Sequence, residues 1–150
     1  MNRKIEVNYI GDGRYIGKKM AVAIGSYVLN GFWMHKKRLP GGAKVDVNVV
    51  SDKIIKKLNR EYLNRNRPTD VIAFAFAEGE SVPGEECPLV GQVIISLDAA
   101  KRQAAAFGHS VKDEMKLLLV HGLLHVAGWS EGKGITRCQK KILENIPALI

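Results

Sequence analysis

Apolar and polar residues alternate along several short stretches of the chain, and elsewhere apolar residues recur at helical spacing. Alternation predicts half-buried strands, whereas a spacing of three to four residues predicts amphipathic helices. The predicted strands, including two runs rich in β-branched residues, are residues 4–10, 44–50, 71–76 and 91–96. The predicted helices are residues 17–33, 52–63, 98–107, 111–127 and 135–146. This mixture within 150 residues indicates one domain, residues 1–150, of the α+β class or with a mixed-sheet α/β layer.

Residues typical of helix ends and of turns flank several of the predicted elements. Ser51 and Ser110 precede helices and can accept hydrogen bonds from N–H groups of the first helical turn. Gly128 follows the fourth helix, at the position where a left-handed glycine commonly ends a helix. The acidic stretch 77–88 predicts an exposed loop. The glycine-rich segment 11–17 is one residue too long for a dinucleotide-binding fingerprint, and we interpret it as a turn.

The charges are distributed unevenly along the chain, which has a net charge of +8. Residues 1–67 carry a net charge of +10, residues 68–100 carry −6 and residues 101–150 carry +4. A polyanion such as RNA is therefore a plausible partner of the basic portions. No apolar run approaches the roughly 20 residues of a membrane span, and no apolar signal segment follows the first residues. With only two cysteines, which we expect to be free thiols, the sequence favours a soluble cytoplasmic protein.

The strongest chemical signal is a pair of histidines, His121 and His125, within the fourth predicted helix. Residues at i and i+4 lie on one face of a helix, about 6 Å apart at Cβ, and this spacing presents two imidazoles to one zinc ion. The surrounding helix is apolar nearly all round, so we expect it to be buried. A pair of hydrogen-bonded core histidines is the alternative interpretation.

A third ligand has to come from outside the helix. Glu131 lies six residues after His125, beyond Gly128, and can fold back toward a metal; the alternative is a solvated loop carboxylate. The glutamate that serves as base in His-Glu-x-x-His proteases is absent, since Gly122 follows His121, which weakens a peptidase interpretation. A three-ligand zinc site keeps a position open for water, and that chemistry suits phosphodiester hydrolysis.

The remaining histidines and the tryptophans carry weaker signals. His35 and His109 are expected to be ordinary surface residues. Trp33 and Trp129 are expected to be core or site-wall residues, and Trp129, between His125 and Glu131, is expected near a pocket.

Three ordered blocks of the chain resemble the YbeY family of bacterial metal-dependent endoribonucleases. Residues 121–131, His-Gly-Leu-Leu-His-Val-Ala-Gly-Trp-Ser-Glu, are similar to the family signature His-Gly-x-Leu-His-x-x-Gly-Tyr-Asp-His. Residues 68–74, Pro-Thr-Asp-Val-Ile-Ala-Phe, follow Leu-Asn-x-x-Tyr at 58–62, and residues 90–96, Val-Gly-Gln-Val-Ile-Ile-Ser, form the third block. The resemblance implies an α+β fold with a four-stranded mixed sheet packed with helices, in a zincin-like layer arrangement.

The resemblance also implies site residues, and two of its motifs are altered here. His121, His125 and Glu131 would be the metal and catalytic residues, with Glu131 in the place of the family's third histidine and either a ligand or a general base. The family arginine after the tyrosine is Leu63 here. Since arginine pairs with phosphate through two hydrogen bonds, this change removes a candidate phosphate contact, and a nearby arginine is expected to take its place. The candidates are Arg60, Arg65 and Arg67.

The implied activity is zinc-dependent cleavage of single-stranded RNA, with one Zn²⁺ per chain. The implied role is maturation of the 3′ end of the small-subunit ribosomal RNA and ribosome quality control, with the ribosome or its small subunit as partner. Because both the third histidine and the arginine are replaced, a non-catalytic RNA- or ribosome-binding assembly factor is the alternative. A zinc hydrolase of a small substrate is a third and weaker hypothesis.

Overall fold

The elements of the fold follow the predicted order in a computed structural model that describes residues 2–76 and 87–148. The strands are β1 (Lys4–Ile10), β2 (Gly42–Val50), β3 (Val71–Ala75) and β4 (Leu89–Ser96). The helices are α1 (Lys18–Phe32), α2 (Asp52–Leu63), α3 (Leu97–Phe107), α4 (Val111–Val126) and α5 (Lys133–Asn145), followed by a short 3₁₀ helix (Ile146–Ala148). Only residues 87 and 88 of the predicted acidic loop belong to the described residues.

The strands form one mixed sheet in the order β1-β2-β4-β3. β1 pairs with β2 and β2 with β4 in parallel, whereas β3 pairs antiparallel with β4 and lies at the edge. The α+β class and the four-stranded mixed sheet are therefore confirmed. Within the described ranges, no helix is both long and apolar enough to cross a lipid bilayer.

The two faces of the sheet are covered by different helices. Val93 lies on the face that α4 covers, because it is the nearest neighbour of the Gly122 backbone, and it belongs to the main core together with residues of α1 and α4. Ile72 and Ile94 lie on the opposite face, since successive strand side chains alternate. They form a smaller cluster with Ile55 of α2. Helix α2 and the histidine-bearing α4 therefore lie on opposite faces of the sheet.

The predicted helix ends are confirmed in their details. The Ser51 hydroxyl accepts a hydrogen bond from the Ile54 N–H (3.3 Å), and the Ser110 hydroxyl accepts one from the Asp113 N–H (3.1 Å). Gly128 has a φ of 103°, the left-handed conformation expected after α4. Three elements begin two residues earlier than predicted: β2 at Gly42, β4 at Leu89 and α5 at Lys133. The other boundaries agree with the prediction to within one residue.

Asp52 joins the start of α2 to β4 and α3. Its carboxylate accepts hydrogen bonds from the Ser96 hydroxyl (2.7 Å) and from the Arg102 guanidinium (2.5 Å). The hydrogen bond from Arg102 holds the pKa of Asp52 below its usual value. The folded state therefore favours the ionised carboxylate, which stabilises the protein above the unfolded-state pKa and ceases to do so as the pH falls through the lowered folded-state pKa.

We expect Asp52→Asn to lower the free energy of unfolding at neutral pH by about 1–2 kcal/mol, because charge-assisted hydrogen bonds are lost at a partly exposed site. The difference from the wild type should shrink below about pH 4, where aspartate begins to be protonated in the unfolded chain. Urea unfolding of both proteins at neutral pH and below pH 4 measures this difference in the free energy of unfolding. In a double-mutant cycle with Arg102→Ala, additive effects would show that the ion pair contributes nothing.

Candidate metal centre

His121, His125 and Glu131 bring their side chains to one point at the C-terminal half of α4. The Nε2 atoms of His121 and His125 are 3.1 Å apart. The Glu131 Oε1 atom lies 3.0 Å from His121 Nε2 and 2.7 Å from His125 Nε2. The two histidines are one helical turn apart on the same face, as their spacing predicts. The cluster predicted from the sequence is therefore present in the fold.

The loop after α4 returns Glu131 to the histidines. Gly128 reverses the chain in a left-handed conformation. The next residue, Trp129, donates its backbone N–H to the Leu124 carbonyl (2.9 Å) and its indole N–H to the Phe32 carbonyl (2.7 Å). These two hydrogen bonds fix the loop against α4 and α1. The Trp129 side chain packs against the main core, which was one of its two predicted positions, and its place as a site wall stays a prediction.

Each histidine is oriented through its other ring nitrogen. His125 Nδ1 lies 2.9 Å from the Trp129 carbonyl oxygen, and His121 Nδ1 lies 2.8 Å from Oε1 of Gln139 on α5. Oxygens of this kind only accept hydrogen bonds, so both Nδ1 atoms carry the proton and both Nε2 atoms present lone pairs. Hydrogen bonds of this type fix the tautomer of metal-binding histidines.

The donor set fits a cation. Two unprotonated Nε2 atoms and a carboxylate oxygen face one another with no proton between them, an arrangement that a positive charge at their centre stabilises. Two of their separations, 3.1 and 3.0 Å, are close to the roughly 3.3 Å expected between tetrahedral zinc ligands at 2.0–2.1 Å, and the third, 2.7 Å, is shorter. Two histidines and one glutamate are also a ligand set of catalytic zinc. The three residues therefore suit one zinc ion.

The charge and exposure of Glu131 suit the same role. The adjacent imidazoles of His125 and His121 hold the pKa of Glu131 below its usual value, so its carboxylate is ionised at neutral pH. Its side chain is 73% exposed, while those of His121 and His125 are 24% and 25% exposed. The cluster consequently opens to solvent on the carboxylate side, where a large substrate has access.

Gly122, between the two histidines, is required by the packing of α4 on the sheet. A Cβ atom at this position would lie 2.5 Å from Val93 Cγ1 and 3.3 Å from Val71 Cγ2. A larger residue would force either the buried Val93 side chain or the helix that carries both histidines to move. Glycine at position 122 therefore allows α4 to pack closely against the sheet.

The structure does not bring the three candidate arginines into the cluster. Arg60 is exposed on α2, which covers the opposite face of the sheet, and Arg65 and Arg67 are exposed in the loop that follows. Buried Asn59 holds this loop, because its side-chain amide donates to the Arg67 backbone carbonyl (2.8 Å) and its backbone carbonyl accepts the Arg65 N–H (3.2 Å). Among the described residues, no hydrogen bond links these arginines to the cluster. Their role in substrate binding stays a prediction.

His35 is half-buried, contrary to the expectation of an ordinary surface residue, whereas His109 is exposed as expected but contacts a buried carboxylate. His35 Nε2 lies 2.8 Å from the Val126 carbonyl oxygen at the end of α4. His109 Nε2 lies 2.7 Å from Oε1 of Glu114, a carboxylate that is only 2% exposed. Both histidines satisfy polar groups of α4 that the fold buries, and these contacts depend on tertiary packing.

Gln139 is the residue that sequence reasoning missed. It lies 18 positions from His121 and carries no motif, so only the packing of α5 against α4 reveals its contact. We expect Gln139→Leu to weaken zinc affinity by about 10- to 100-fold, the usual effect of losing such a partner. Gln139→Glu keeps an acceptor oxygen and should restore affinity. Competition with a zinc chelator measures the zinc affinity of both variants. Equal affinity in wild type and Gln139→Leu would show that Gln139 does not orient His121 for metal binding.

A His-x-x-x-His helix and a loop carboxylate beside a four-stranded mixed sheet define an α+β protein with a candidate mononuclear metal centre. The family model described as endoribonuclease YbeY matches residues 18–146. The chain belongs to the YbeY family of endoribonucleases. The resemblance seen in the three sequence blocks is thereby confirmed.

Individual relatives agree with this assignment. The chain is 42% identical over 101 residues to endoribonuclease YbeY of Geobacillus kaustophilus, covering 64% of this chain and 65% of the relative. It is 40% identical over 112 residues to endoribonuclease YbeY of Bacillus licheniformis, covering 68% and 71%. The solution structure of TM1509 from Thermotoga maritima, 23% identical, aligns with a TM-score of 0.59 over 95% of this chain and 89% of that chain, which supports the fold.

Proposed function

We propose that this protein is a zinc-dependent endoribonuclease that cleaves single-stranded RNA in the cytoplasm. Its proposed roles are maturation of the 3′ end of the small-subunit ribosomal RNA and ribosome quality control, with the ribosomal small subunit as partner. The observation that carries this proposal is the convergence of His121, His125 and Glu131, with Nε2 lone pairs directed at one another, in a chain of the YbeY family.

The roles of the site residues follow from their contacts. His121 and His125 would hold the zinc ion, with Gln139 and the Trp129 carbonyl fixing the imidazole orientation. When bound, zinc supplies Lewis-acid chemistry at the scissile phosphate. Glu131 has two candidate roles: third ligand, or general base that takes a proton from the attacking water. It lies within hydrogen-bond distance of both histidines, which is compatible with either.

Substrate binding is assigned to basic residues. We infer that one of Arg60, Arg65 or Arg67 contacts phosphate in place of the family arginine, since Leu63 provides no charge. All three are exposed. Residues 1–150 are proposed to act as one domain.

Chelation and zinc replacement test this proposal. Purified protein is incubated with a single-stranded fragment of small-subunit ribosomal RNA after treatment with a chelator, and again after zinc is added back. We expect cleavage to stop on chelation and to return with zinc, while RNA binding at low salt continues, because phosphate contacts do not need the metal. Binding without cleavage in the zinc-loaded protein would overturn the nuclease proposal in favour of a non-catalytic assembly factor.

A further inference from the structure

Three aromatic side chains form a continuous row at the edge strand of the sheet. The ring of Tyr62, at the end of α2, lies edge-to-face against Phe74 of β3, with centroids 5.9 Å apart. The ring of Phe76 is parallel to that of Phe74, with an interplanar angle of 4° and centroids 6.5 Å apart. The Phe76 N–H donates to the Val90 carbonyl (2.8 Å), which continues the ladder of β3 and β4. The backbone thus fixes the positions of these rings.

The row is anchored at its centre and exposed at both ends. Phe74 packs against the cluster formed by Ile55, Ile72 and Ile94. Tyr62 is 65% exposed and Phe76 is 40% exposed. Large aromatic side chains at this exposure contribute little to the core, so their contribution to folding does not explain the two outer rings.

The side of the row formed by α2 and the loop after it is strongly basic. Residues 52–67, which comprise α2 and the start of the following loop, contain six basic and two acidic residues, a net charge of +4. Among the described residues none of the six makes an ion pair, whereas the acidic Asp52 is paired with Arg102. The six are Lys53, Lys56, Lys57, Arg60, Arg65 and Arg67.

We propose that this row is a stacking platform for unpaired RNA bases, with the neighbouring basic residues contacting the phosphates. The inference rests on the proposed function and adds the subsite that holds the substrate as a single strand. Interleaved aromatic rings and basic residues are the usual composition of such surfaces, because every base offers a π-face and every phosphate a negative charge. A second copy of this chain suits the surface poorly, since two patches of the same positive charge repel each other.

The row is connected to the metal centre through the same strand. Val71, three residues before Phe74 on β3, lies beside Gly122 of α4 on the other face of the sheet. The edge strand β3 therefore carries Phe74, the centre of the row, on one face and contacts the histidine-bearing helix on the other. An RNA strand passing over this edge would be held by the row and presented to the metal site.

The test compares RNA binding by Tyr62→Ala and Phe76→Ala with the matched control Phe107→Ala, which truncates a 70% exposed aromatic residue on α3. Fluorescence anisotropy is measured with a labelled single-stranded oligoribonucleotide and with an abasic oligomer of the same length. Each row variant should bind the single strand roughly 5- to 100-fold more weakly. Its binding to the abasic oligomer should be unchanged, and Phe107→Ala should bind both probes like the wild type.

The outcomes separate this proposal from the proposed function. If the wild type cleaves and binds single-stranded RNA but both row variants match it, the stacking platform is overturned and the nuclease stands. If the wild type binds no RNA, the proposed function fails together with this one. Sedimentation of each protein completes the test, because a wild-type dimer that the row variants convert to monomers would identify the row as a self-association surface.

Discussion

His121→Ala is expected to reduce cleavage of single-stranded RNA by about 10³-fold or more and to remove most of the bound zinc. The substitution deletes one of two imidazoles whose Nε2 atoms lie 3.1 Å apart and face Glu131. A Lewis acid contributes several kcal/mol to stabilising the charge of a transition state, and each 1.4 kcal/mol is a factor of ten in rate. Initial cleavage rates and zinc content per chain measure the two effects.

The control for this variant is the wild type stripped of metal. His121 is partly exposed and contacts Gln139 and Glu131 through its ring, so His121→Ala should have nearly the melting temperature of the metal-free wild type. RNA binding at low salt should also persist. Unchanged cleavage by a correctly folded His121→Ala would refute the catalytic assignment of the cluster.

Gly91→Ala is expected to be the most destabilising conservative substitution in the sheet. A Cβ atom at this position would lie 2.6 Å from the Phe74 carbonyl oxygen and 2.5 Å from Val126 Cγ1. The first neighbour is backbone of β3 and the second is a buried side chain of α4. Either β3 or α4 therefore has to move to accommodate the methyl group. We expect a loss of about 3 kcal/mol, the upper end of overpacking effects, and a melting temperature roughly 6–12 °C lower.

Gly31→Ala is the matched control for this substitution. Gly31 lies near the end of α1, and a Cβ atom there would have no neighbour within 4 Å. Alanine favours helix over glycine, so this variant should be unchanged or more stable by up to about 1 kcal/mol. Equal melting temperatures for Gly91→Ala and the wild type would show that α4 does not approach the sheet as closely as described.

The individual strands and helices could be predicted from the sequence, because interactions between residues close together in the chain determine them. Alternating residues 4–10 form β1 over the predicted range, and Ser51 and Ser110 cap the helices that follow them. Gly108 and Gly128 adopt the left-handed conformation at the ends of α3 and α4. Boundaries were less certain: the two residues added to β4 carry no alternation that distinguishes them from a loop.

Contacts between distant parts of the chain could not be predicted in the same way. The spacing of His121 and His125 is a property of a single helix, and Glu131 lies only six residues further along. The hydrogen bond from His35 to the end of α4 spans 91 residues, and that from His121 to Gln139 spans 18. The position of Arg60 on the face opposite α4 likewise depends on the strand order, which no local pattern encodes.

Elemental analysis of zinc per chain, on wild type and Glu131→Ala prepared side by side, tests whether the two histidines and Glu131 form one zinc site. We expect about one zinc in the wild type and clearly less in the variant, because Glu131 Oε1 lies within 3.0 Å of both Nε2 atoms. Equal zinc in both proteins would leave the two-histidine site and make Glu131 a general base or a bystander. Wild-type protein without zinc after reconstitution would refute the zinc site and make His121 and His125 core residues.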